Sequence, residues 1–136
     1  MGAWSHEPFG NDTACDWAYG LDEQRDFSLV AKAIEAVLDN GSDYLDSDLA
    51  SEAIAAAEIL AKALGRGTQN DSYTEDVDAW VKSIAERPSQ DLLSKANVAL
   101  ARIAGSDSEL RELWEESDDF DSWESSVKAL QSAVGA

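Results

Sequence analysis

The chain has 136 residues, 28 of them acidic and 10 basic, which gives a formal net charge of −18. That length fits one domain with a real core, and five Trp within a composition that is 44% apolar separate it from a disordered acidic tail. The charge argues against nucleic acid and anionic lipid as partners, no apolar run approaches the ~20 residues of a membrane helix, and no basic-then-apolar leader opens the chain, so a cytoplasmic protein is expected.

Gly and Pro punctuate segments of helical periodicity. Residues 1–10 form an N-terminal strap carrying Trp4, Pro8 and Phe9. Asn11 is placed to cap a first helix with Ala14, Trp17 and Ala18, ending near Gly20. A second runs from about Asp26 to Asp39, with Phe27, Val30, Ile34 and Val37 on one face, and stops at Asn40–Gly41. A third extends from about Asp46 to Leu64, with Gly65 past its end. Its interior, Ala53 to Ala57 and then Ile59-Leu60, is apolar round most of its circumference, which predicts a central helix gripped from several sides. Arg66 to Tyr73 reads as loop. Thr74 is placed to cap a fourth helix with Val77, Trp80, Val81 and Ile84, stopping before Pro88. Ser89 caps a fifth, which carries Leu92, Ala96, Leu100 and Ile103 and ends at Gly105. Ser108 to Glu116 and Asp118 to Val134 supply two more.

No window alternates apolar and polar residues with β-branched enrichment. The expectation is therefore an all-α chain, 1–136, forming a single domain of about seven helices. Asp48–Ala53 and Asp91–Ala96 match at four of six positions, 43 residues apart. That offset lies in the range of HEAT-type pairs, and a true repeat would make the fold a stack of helical hairpins.

One Cys (Cys15) and one His (His6) cannot complete an internal disulfide or a four-ligand zinc site. Cys15 stands among carboxylates in a helical stretch, where a small packed hydrophobe is expected and an activated nucleophile is not. There is no Ser-His-Asp set, phosphate loop or HExxH motif. The reading is thus non-enzymatic, with no cofactor and no metal implied.

The most distinctive stretch is Met1-Gly2-Ala3-Trp4, then Pro8-Phe9, Asn11-Asp12, Ala14 and Asp16-Trp17. It resembles the opening of the bacterial family called domain of unknown function 4259, as Ser108–Glu116 with Asp121 and Trp123 resembles its closing helices. Ser5, Glu7 and Gly10 depart from the family's usual Gly, Gly and acid. The resemblance implies a helical fold and carries no activity with it. Two readings of the motif follow. In one, Trp4, Phe9 and Trp17 clasp the terminus against the domain. In the other, Trp4, Asn11, Asp12, Asp16 and Trp17 surround a cation or small ligand, as a binding site that could extend to hydrolysis.

The charge is uneven. Asp107 to Glu124 contains nine acids and one base, Arg111. A second group, Asp39, Asp43, Asp46, Asp48 and Glu52, fails as an EF-hand, because Tyr44 and Ala50 stand where its Gly and Glu belong. The main functional expectation is an acidic interaction domain, immunity- or antitoxin-like at most. Its partner would be a basic protein, and the contact surface Glu112, Glu115, Glu116, Asp118, Asp119 and Asp121.

Overall fold

A computed structural model describes residues 5–23, 26–84 and 86–135. Among these, seven α-helices follow one another: α1 Asp12–Ala18, α2 Ser28–Asp39, α3 Ser47–Ala63, α4 Glu75–Ser83, α5 Gln90–Ile103, α6 Glu109–Glu115 and α7 Phe120–Gly135. Short 3₁₀ turns, Tyr19–Glu23 and Ser72–Thr74, precede α2 and α4.

Local chemistry sets most of the boundaries. Asn11 accepts the Ala14 amide, Asp46 those of Asp48 and Leu49, Ser89 that of Leu92 and Ser108 that of Arg111, each satisfying a first-turn donor that has no partner within the helix. At the far ends, Gly41 and Gly65 take φ of +62° and +77°, where a side chain would be strained.

One expectation needs correction. Thr74 does not cap α4; its hydroxyl faces inward, and Asp71 instead makes a capping box with it around the 3₁₀ turn. Helix α4 does stop before Pro88, at Ser83: the Ser83 hydroxyl donates to the Trp80 carbonyl at 2.6 Å, and Ile84 turns to extended backbone.

Helix α3 is the hub. It packs against every other helix, and Ala50, Ala53 and Ala55 to Ala57 are all buried, as are Ile59, Leu60 and Ala61. Its small side chains let neighbouring backbones approach on all sides. A unit in a one-dimensional stack touches only its neighbours, so α3 packs as the centre of a globule. The 43-residue similarity falls on the capped first turns of α3 and α5.

The described residues contain no β-strand. One isolated bridge pairs Leu45 with Ser108: the Leu45 amide donates to Asp107 at 2.8 Å, and the Glu109 amide to Leu45 at 2.9 Å. Arg102 strengthens this seam. Its guanidinium donates to the carbonyls of Gly41, Asp43, Ser106 and Asp107, tying the loop before α3 to the loop before α6. The backbone at Gly41 and Asp43 is thus held by a base, while the carboxylate of Asp43 stays exposed.

Candidate functional site

The closing helices carry the acidic face. Leu110 and Trp114 of α6 and Trp123 and Val127 of α7 turn into the core, so the charged positions between them face water. Glu112, Glu115, Glu116, Asp118, Asp119 and Asp121 are all exposed. The connection is tight: the Ser117 hydroxyl donates to the Trp114 carbonyl at 2.8 Å and accepts the Asp119 amide at 3.1 Å.

Arg111, the one base here, is already engaged. It donates to the Ala104 carbonyl, pairs with Glu115 at 3.5 Å and lies 5.5 Å from the Phe120 ring centroid. Two carboxylates on this side also have partners. Glu109 accepts the Ser47 amide at 2.9 Å, and Glu112 accepts the Tyr44 hydroxyl at 2.7 Å. That bond, reinforced by burial and by Glu112, Glu109 and Asp107, holds the Tyr44 proton up to about 12.

The N-terminal motif is distributed differently. Trp4 lies outside the described residues. Asn11 is committed to its cap at 2.8 Å, Asp12 and Asp16 share an exposed face one turn apart, and Trp17 is half-buried against the core. Asn11 also borders a cavity of about 40 Å³ shared with Thr13, Asp48, Ser51 and Trp114, which suits water rather than an organic ligand. Phe9 is fully buried and its amide donates to Gln69 at 2.8 Å. Cys15 approaches the Phe9 carbonyl at 3.5 Å; burial, then Asp12, Asp16 and Asp71, push its thiol up and keep it protonated. Among the described residues, no group of three or more His, Cys, Asp or Glu is arranged to hold a metal ion.

Residues 2–126 match the family described as Domain of unknown function (DUF4259). The chain belongs to that family. No curated protein and no solved structure matches it. In this DUF4259 domain a Cβ at Gly10 would lie 2.1 Å from the Ser5 hydroxyl, 2.8 Å from the Ser5 carbonyl and 3.1 Å from the Glu7 carbonyl, so the turn leaves no room for a side chain at position 10.

Beneath the motif lies a polar cluster that sequence reasoning missed. Glu58 is fully buried in the middle of α3. It accepts the Thr68 amide at 2.8 Å, the Thr68 hydroxyl at 2.6 Å and the Gln69 amide at 2.9 Å. Lys62, one turn on, lies 3.6 Å from Glu58 and 2.7 Å from Asp78, and also donates to the Gln69 carbonyl. Gln69 is buried between Phe9 and Asp71, donating to Asp71 at 3.0 Å, while the buried Thr74 hydroxyl meets Asp78 at 3.2 Å. Residues 66–73, which read as loop, are therefore folded over a charged α3 turn and hold Phe9 in place through Gln69. One signal does point there: Glu58 and Lys62 are the charges inside Ala53–Leu64, spaced four apart.

Proposed function

We propose that this domain binds a basic protein partner through the exposed carboxylates of α6 and α7. The observation that supports this is the concentration of six exposed acids at 112, 115, 116, 118, 119 and 121 beside an arginine already engaged within the fold. Such a surface repels nucleic acid and draws a cationic surface toward it, raising the association rate at low salt.

The test uses the immobilised chain and a variant carrying Glu115→Lys, Glu116→Lys, Asp118→Lys and Asp119→Lys. All four positions are exposed, so the variant keeps the fold. The unaltered chain retains a cationic protein from lysate at low ionic strength and releases it as salt shortens the screening length. The variant retains none. Recovery of no partner at low salt, or equal recovery by both chains, overturns the proposal.

A further inference from the structure

A second surface feature owes nothing to the closing helices. A cleft of about 320 Å³ opens between α1 with its following 3₁₀ turn on one side and Ser72–Thr74 with α4 on the other. This volume lies at the lower end of small-molecule sites, which run to about 300–1,000 Å³. Its floor includes Phe9 and Trp80, 0% and 4% exposed, and its rim carries Tyr19 and Tyr73, 73% and 55% exposed. The charged side chains lining it among the described residues are Asp22 and Asp76, both exposed, and none of the described lining residues is basic.

The walls are fixed by the fold. The Trp80 indole donates to the Leu21 carbonyl at 2.8 Å and Phe27 meets its ring edge-on, with centroids 6.2 Å apart. Phe9 is held by Gln69, which is itself anchored to the buried turn of α3 through Glu58. The floor is thus preorganised, and Tyr19 and Tyr73 stand exposed at the rim.

We propose that this cleft binds an organic cation, a guanidinium or alkylammonium group on a short aliphatic chain. The apolar floor takes the chain, the tyrosine faces take the cation's flat or methylated surface, and Asp22 and Asp76 balance its charge. Other ligand classes fit less well. A neutral apolar guest would strip water from two carboxylates without compensation. A divalent metal needs several oxygens at close range and gains little from aromatic walls. Cys15, on the same wall, supports a negative potential there, since Asp12, Asp16 and Asp71 add to burial in holding its thiol protonated. The guest is either a free small cation or the side chain of a basic polypeptide, and the chemistry of capture is the same for both.

The experiment is an NMR titration of the full chain with N-butylguanidinium, its uncharged analogue N-butylurea, and a blocked Gly-Arg-Gly peptide. N-butylguanidinium gives saturable shifts at the Trp80 indole and at the amides of Tyr19, Tyr73 and Asp76. The pair Asp22→Asn with Asp76→Asn, or Tyr19→Leu with Tyr73→Leu, weakens it by about fivefold or more, as does loss of the ligand's charge in N-butylurea. All four side chains are exposed, and unchanged spectra elsewhere verify that the variants are folded. Binding of the peptide with the same Asp dependence identifies a polypeptide guest; binding of N-butylguanidinium without the peptide identifies a free cation. Equal affinity for N-butylurea, indifference to the Asp pair, or shifts centred on α6 and α7 overturn the proposal. Because the cleft shares no residue with the acidic face of the closing helices, either proposal can fail without the other.

Discussion

Lys62→Met lowers the unfolding free energy by about 3–5 kcal/mol and the melting temperature by on the order of 10–20 °C, measured by thermal and urea denaturation. Methionine preserves most of the volume and the apolar stem, so the loss isolates the ammonium group. That group is 5% exposed and faces Glu58 at 3.6 Å, Asp78 at 2.7 Å and the Gln69 carbonyl. Removing it leaves a fully buried carboxylate without its cation, the arrangement that costs most among ion-pair deletions. If the single variant fails to fold, Glu58→Gln with Lys62→Met supplies the check. Removing the orphaned charge as well makes the double variant at least as stable as Lys62→Met alone. Strict additivity of the two single losses would show that the residues are not coupled.

Glu58 also makes a signed prediction for pH. Burial raises its pKa, and the opposing effects of Thr68, Gln69 and Lys62 do not cancel that rise. A carboxyl whose folded pKa exceeds its unfolded value of about 4.3 holds its proton more tightly in the folded state. Its contribution to stability is therefore largest below that unfolded value, declines as pH rises through the interval up to the folded pKa, and is constant above it. Glu58→Gln removes the titration. The stability of the unaltered chain relative to this variant accordingly falls across that interval in denaturant titrations run at a series of pH values. A difference that grows with pH would mean that the three hydrogen bonds and Lys62 outweigh burial.

Residues whose role is local are legible in the amino-acid sequence alone. The cap at Asn11 needs only a short oxygen next to free amides, and Gly41 and Gly65 need only the absence of a Cβ. The same holds for Ser89 and Ser108, and for the apolar stripes that turn Trp114 and Trp123 inward. The acids of the closing face are legible for the complementary reason, since they fall between those stripes. What stays hidden depends on contacts distant in sequence. Gln69 looks like a loop residue until Phe9, 60 positions earlier, donates to it. Arg102 looks like a solvated helix end until four carbonyls from two loops converge on it. Thr74 looks like a cap because a hydroxyl before a helix usually is one, but here the residue is buried, and Asp78 and the Asp71 backbone compete for its hydroxyl. The cleft is invisible for the same reason: Tyr19 and Tyr73 come from segments that share no periodicity.

The apolar girth of α3 gives the sharpest structural test. Successive helix positions are about 100° apart, so Ala55, Ala56 and Ala57 point in three directions that together sweep more than half the circumference. On an ordinary amphipathic helix at least one of them would face water and accept a larger side chain. Here all three are buried, on a helix in contact with α1, α2, α4, α5, α6 and α7. Ala55→Leu, Ala56→Leu and Ala57→Leu should each therefore destabilise the domain by about 1–3 kcal/mol through overpacking, and combining any two should exceed either alone. Ala79→Leu and Ala101→Leu, at exposed positions on α4 and α5, stay within about 0.5 kcal/mol of the unaltered chain. One neutral substitution among the three would place a solvent-facing stripe on α3. The domain would then be built around an interface of two layers, with the buried Glu58 turn near its edge. Three losses establish instead that α3 is the single centre around which the other helices pack.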